Sequence, residues 1–148
     1  MFQPYTGPWT FDEAAHLLRR TIFGPTKERI QQAVNDGMDA TFNLLLSTPA
    51  PVDPPIYFDF ENDPEAGLGE TWVDKPLDGD IPEIYFARAK SLWAWWFMQM
   101  NRDDQTIMNK MTLFWHNHFV ISDAGHANMN WVYPVSYTHL TLPTILRV

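Results

Sequence analysis

The stretch Glu83 to Met100, EIYFARAKSLWAWWFMQM, constrains this chain more than any other. At helical spacing Ile84, Ala87, Ser91, Ala94 and Met98 form one stripe, while Tyr85, Leu92, Trp95, Trp96 and Gln99 occupy the remaining sides. A helix that is apolar on most faces must be covered on most faces, so the fold has to place neighbours around nearly its whole circumference. Pro82 suits the first turn of such a helix, where its missing N–H removes no intrahelical hydrogen bond.

The neighbours the sequence offers are themselves helical, and the pattern predicts an all-α irregular helical bundle. Thr10 with Glu13 three residues later makes a capping box, and Phe11, Ala14, Ala15, Leu18 and Ile22 then recur at helical spacing until Gly24-Pro25. Thr26 starts a second helix carrying Ile30, Ala33 and Val34, which Gly37 closes. Asp39 is positioned to cap a third, with Phe42, Leu45 and Leu46, ended by Ser47-Thr48-Pro49. Beyond the long helix, Asp103 can cap another that runs through Ile107, Met111, Phe114, Trp115 and His118 and ends near Ser122-Gly125. Helix is therefore predicted over 10–23 and 82–121, with no sheet of three or more strands.

Charge is distributed unevenly. Ten of the 18 carboxylates fall between Pro49 and Glu83, against one base, Lys75; elsewhere eight acids and nine bases nearly cancel. With six prolines and no sustained periodicity, residues 49–81 read as a long irregular acidic loop, solvated and partly mobile, with Trp72 as an anchor. The spacing Asp59-Phe-Glu61-Asn-Asp63 resembles a calcium loop but lacks its central glycine and closing glutamate. A formal net charge of -8 disfavours nucleic acid as a partner, because phosphate contacts demand a basic face. Zero cysteines exclude disulfides, thiol catalysis and zinc-thiolate sites. The first residues carry no signal peptide pattern, and no apolar run reaches the length of a membrane span.

The last block, PVSYTHLTLPTILRV, changes character. Residues 135–144, VSYTHLTLPT, back-translate over ten codons to GTC TCT TAT ACA CAT CTG ACG CTG CCG ACG. That string closely resembles the transposase end and adapter used to tag DNA fragments for sequencing. The expectation is that residues 1–134 are the incomplete N-terminal part of a larger helical domain, and that 135–148 are a non-native, adapter-derived tail. The competing reading is a strand that alternates Val135, Tyr137 and His139 with Ser136, Thr138 and Leu140. His139 is excluded from any site.

The segment MTLFWHNHFV supplies the candidate catalytic and metal-binding residues, His116 and His118. On a helix they stand about 200° apart and cannot chelate one ion; on a strand they would share a face. The surrounding period is helical, which sends His118 to the main apolar stripe and His116 toward Leu113 and Val120. Neither has a carboxylate or histidine three or four residues away, so a metal site would need ligands from elsewhere. Buried, hydrogen-bonded structural histidines are the competing reading. The letters His-Asn-His do not make an HNH nuclease, whose three residues are dispersed over a hairpin and a helix. Glu13-Ala-Ala-His16 spells half of a di-iron bundle motif, but no second copy accompanies it, and Glu13 has a capping role. Arg19 and Arg20 oppose the C-terminal dipole of their helix and could hold an anion or the acidic loop.

Two segments, AAHLLRRTIFGPTKERI and NKMTLFWHNHFVIS, resemble in that order a bacterial family known as domain of unknown function 1800. The likeness covers residues 10–133. It implies a chain that continues for several hundred residues, periplasmic or exported in Gram-negative bacteria, and encoded beside another exported protein. The family's later helical segment of the type PNENFARE is absent here, so a site shared between the two parts would be incomplete. The resemblance names no reaction or cofactor. Two function classes stay open: an exported helical binding or assembly protein, or the N-terminal half of a metal-dependent or His-using enzyme completed by the missing C-terminal part. In both, that missing part is the first partner, with a separate partner protein the second. If only the three short N-terminal helices cover the long helix, several of Trp93, Trp95, Trp96 and Phe119 are left on an exposed apolar patch.

Overall fold

The computed structural model of the protein describes residues 5–48, 52–76, 81–102, 105–118 and 133. Five helices follow one another: α1 Phe11–Thr21, α2 Lys27–Asp36, α3 Met38–Leu45, α4 Pro82–Asn101 and α5 Met108–His118. Among the described residues the only extended pairing is one antiparallel bridge between Ile56 and Thr71, so the fold class is all-α.

Local chemistry sets the first three helices. The Glu13 carboxylate receives the Thr10 amide at 3.1 Å and also the Thr10 hydroxyl, closing the start of α1. These hydrogen bonds, the Thr10 hydroxyl foremost, hold Glu13 below the usual carboxylate range. The Thr26 hydroxyl accepts from the Arg29 amide at 3.2 Å and starts α2. Gly37, at φ +86°, ends α2 with its N–H on the Ala33 carbonyl at 3.1 Å, and the same residue begins α3. Asp39 is thus inside the first turn of α3 and is not its cap. Ala14, Ala15, Leu18, Ile22, Ile30, Ala33 and Leu45 form one core, closed by Trp9, whose indole N–H donates to the Ala33 carbonyl at 2.9 Å.

A second core lies under residues 52–76, and here the structure departs from the sequence reading. That acidic segment is packed. Tyr57, Ala66 and Trp72 join Ala87, Ala89, Leu92 and Trp95 of α4, together with Tyr133. The chain doubles back on itself through Tyr57 N–H to the Glu70 carbonyl at 3.0 Å and Gly69 N–H to the Tyr57 carbonyl at 2.8 Å. The balance of magnitudes explains the ordering. Covering Trp72 and Tyr57 removes roughly 150–250 Å² each from water, a gross gain of about 4–6 kcal/mol per side chain. Two exposed carboxylates about 10 Å apart repel by only about 0.4 kcal/mol before salt screening. The charges therefore stay outside while the aromatic rings go in: Asp59, Glu61, Glu65, Glu70 and Asp74 are exposed, and Asp63 is buried. Trp72 is the anchor, fully buried, with its indole N–H on Ser91 Oγ at 2.7 Å.

Among the described residues the cover of α4 consequently comes chiefly from the acidic segment, with α5 against Trp96 and Gln99. Trp95 is buried, with its N–H on the Asp53 carbonyl at 2.7 Å, and Trp96 is half-buried. Trp93 is half exposed, as expected of an uncovered patch, while Phe119 lies outside the described residues.

Helix α5 starts at Met108, where the Thr106 hydroxyl accepts the Met108 amide at 3.3 Å. The Ile107 amide donates to the Leu45 carbonyl at 2.9 Å and ties this start to α3. The proposed cap, Asp103, lies outside the described residues, as do 119–121 and the tail 135–148.

Candidate functional site

His116 and His118 both fall on α5, and helical geometry turns them to different sides. His116 is half-buried and meets Trp96 of α4 edge-on, with ring centroids 4.5 Å apart. His118 is exposed, stacked parallel to Phe114 at 6.0 Å and edge-on to Trp115 at 5.8 Å. Neither is buried, and His118 does not lie on the buried stripe. The buried face of α5 is Met108, Asn109 and Thr112, which turns Phe114 outward. The reason lies across the interface. Asn109 donates to the Gln99 carbonyl at 2.9 Å, satisfying a carbonyl in the last turn of α4, and Thr112 returns its hydroxyl to the Met108 carbonyl at 2.9 Å. Polar residues that pair well can thus occupy a buried face ahead of apolar ones.

Among the described residues no three His, Cys, Asp or Glu side chains gather in a metal-holding group. Glu13 is occupied with Thr10, and His16 is exposed on α1. Arg19 and Arg20 are exposed as well; the Arg19 carbonyl accepts Lys110 Nζ at 2.6 Å, a contact between α1 and α5.

The polar cluster that the fold does assemble was absent from the sequence reading. Arg88 and Asp63 form an ion pair at 2.8 Å with side chains 0% and 1% exposed. Arg88 Nε donates to Asp63 at 3.1 Å and to the Tyr57 hydroxyl at 3.2 Å, and the Tyr57 hydroxyl donates to Asp63 at 2.7 Å. The guanidinium also donates to the Lys75 and Pro76 carbonyls and lies over the Trp72 ring. Burial pushes the Tyr57 phenol upward, and its hydrogen bond to Asp63 adds to that. Burial also pushes Asp63 upward, but hydrogen bonds from Tyr57, the Glu65 amide and Arg88 outweigh it and hold the carboxyl below its usual range. A cluster this closed serves as a clamp. One signal for it was legible: Arg88 stands one helical turn from both Ile84 and Leu92 on the same face, and a buried guanidinium demands a carboxylate.

Arg29 is a different case. It is buried on α2, and its Nε has no hydrogen-bond partner among the described residues.

Among the described residues, one surface feature with the shape of a binding site is an open groove of about 690 Å³ between residues 53–58 and α4. Asp53, Pro54, Ile56 and Phe58 make one wall; Ser91, Ala94, Trp95 and Met98 make the other, with Gln99 and Arg102 at one end. Ile56, Phe58 and Met98 are 48%, 50% and 59% exposed, so apolar surface is presented outward. Arg102 is steadied by donating to Gln99 Oε1 at 3.1 Å, which leaves a charged end on an apolar trough. No described helix is long and apolar enough to cross a membrane.

Against known proteins, the family model described as Protein of unknown function (DUF1800) matches residues 16–146. No curated protein and no solved structure matches the chain.

Proposed function

Since the chain belongs to the DUF1800 family, we propose that it acts there as a helical module with a binding or assembly role, taking an apolar segment of a partner polypeptide in the groove beside α4. The observation that carries this reading is the groove itself, whose walls expose Ile56, Phe58 and Met98 around the buried Trp95. Exposed apolar surface of this kind on a concave feature marks an interaction site more often than a solvated face. The first partner in this reading is a further polypeptide segment of a DUF1800-family protein. The module works outside the cytoplasm, as the family resemblance implies.

The test is protection of Met98. A C-terminal segment of a DUF1800-family protein, supplied in trans, is expected to slow peroxide oxidation of Met98 at least several-fold. Ile56→Arg, which places a charge in the groove wall, is expected to abolish the protection. Equal oxidation rates with and without the added polypeptide would refute this use of the groove.

A further inference from the structure

Helices α1 and α2 both begin on a threonine, but they differ at the third helical residue. In α1 that residue is Glu13, whose carboxylate receives the Thr10 amide at 3.1 Å, so the chain supplies its own anion to the helix start. In α2 it is Arg29. The Thr26 hydroxyl accepts the Arg29 amide at 3.2 Å, and the Ile30 amide donates to the Thr26 carbonyl at 3.0 Å. The remaining amides of this turn, those of Lys27 and Glu28, have no acceptor among the described residues.

Side chains on a helix lean toward its N-terminal end, and the third position is the one from which a side chain reaches back to the cap. Arg29 therefore stands to the start of α2 as Glu13 stands to the start of α1, with the opposite charge. Arg29 is 9% exposed, and its Nε has no hydrogen-bond partner among the described residues. No described carboxylate is ion-paired with it. A cation at the positive end of a helix dipole is unfavourable, and a buried guanidinium without a carboxylate is more so. Thr26, Lys27 and Glu28 are exposed, which opens this end of α2 to solvent. Two free amides, the guanidinium and the Lys27 ammonium thus gather at one helix start, where Glu28 is the one acid of the turn.

We infer that the start of α2 binds a phosphate group, held by the amides of Lys27 and Glu28 and by the side chains of Arg29 and Lys27. Free amides at a helix N-terminus hold oxyanions, and a guanidinium adds charge-assisted hydrogen bonds from a fixed fork. A carboxylate offers its two oxygens in one plane, whereas donors arriving along the helix axis and from two side chains suit a tetrahedral group. The bound anion supplies the counter-charge that no described carboxylate gives Arg29. This site shares no residue with the groove beside α4 and does not rest on that reading.

The experiment titrates the full chain with inorganic phosphate at neutral pH and follows its backbone amides by heteronuclear NMR. The Lys27 and Glu28 amides are expected to shift saturably, with a dissociation constant on the order of a millimolar. Sodium chloride of equal ionic strength is expected to produce no saturation, and acetate to bind at least about fivefold more weakly than phosphate. Arg29→Met is expected to weaken phosphate binding at least about tenfold, through loss of the charge-assisted hydrogen bonds. Lys27→Glu, which reverses a charge at an exposed position and leaves every buried residue in place, is expected to weaken it at least about fivefold. Shifts that do not saturate, chloride or acetate acting as well as phosphate, or an affinity unchanged in either variant would each overturn the inference.

Discussion

Removing the Asp63 carboxylate is the sharpest test of how the acidic segment is held. In Asp63→Ala the Arg88 guanidinium stays buried, keeps its carbonyl partners at Lys75 and Pro76, and loses the Asp63 carboxylate. Removing one partner of a buried ion pair costs about 3–5 kcal/mol. That is a large part of the roughly 5–15 kcal/mol that holds a whole domain. For a chain of this size the corresponding drop in Tm is on the order of 10–20 °C. The loss is expected to appear first as undocking of 52–76, because the Tyr57, Asp63 and Arg88 bonds join that segment to α4. Trp72, whose N–H reaches Ser91, then becomes exposed. Urea titration followed in parallel by Trp emission and far-ultraviolet dichroism separates the steps, since undocking shifts emission while helical signal persists. Adding Arg88→Met to Asp63→Ala is expected to restore a substantial part of the loss, because the charge that needed a partner is then gone. A single-variant cost below about 1 kcal/mol, with Trp72 emission unchanged, would refute the clamp.

Three further outcomes follow from particular residues. Asp63 is held below its ordinary value in the folded chain, so the unfolded chain takes up its proton first as pH falls; the stability it contributes is present above about pH 4 and is lost as acid carries the pH through the lowered value. Urea midpoints measured from pH 7 to pH 2 are expected to fall in that acid window and to fall less in Asp63→Asn. Arg29→Met is expected to be neutral or stabilising by about 1 kcal/mol, because it removes a buried Nε without a hydrogen-bond partner; a loss above 1 kcal/mol on thermal melting would contradict this. Gly37→Ala meets open space but forces an L side chain to φ +86°, and is expected to cost about 1 kcal/mol or more, read from its urea midpoint.

Much of the helical framework was legible before folding. Thr10 with Glu13, Thr26, Gly37 and Pro82 mark their helices through bonds that span three or four residues, so neighbours in sequence suffice to specify them. Asp39 misled because a glycine with positive φ two residues earlier can begin α3 directly behind α2. Composition misled more seriously at 52–76. Counting charges and prolines described its surface, but not Tyr57 and Trp72, which sit between those charges and carry the burial. The face that α5 buries was equally out of reach, since Asn109 is drawn inward by a carbonyl of Gln99 on another helix. Arg88 and Asp63 are 25 residues apart, and α4 alone offers several apolar faces of similar hydrophobicity. Periodicity can say that such a helix must be covered; which stripe turns inward, and which leaves Phe86, Trp93 and Phe97 in water, depends on where the chain's return path brings its own aromatic rings and one carboxylate.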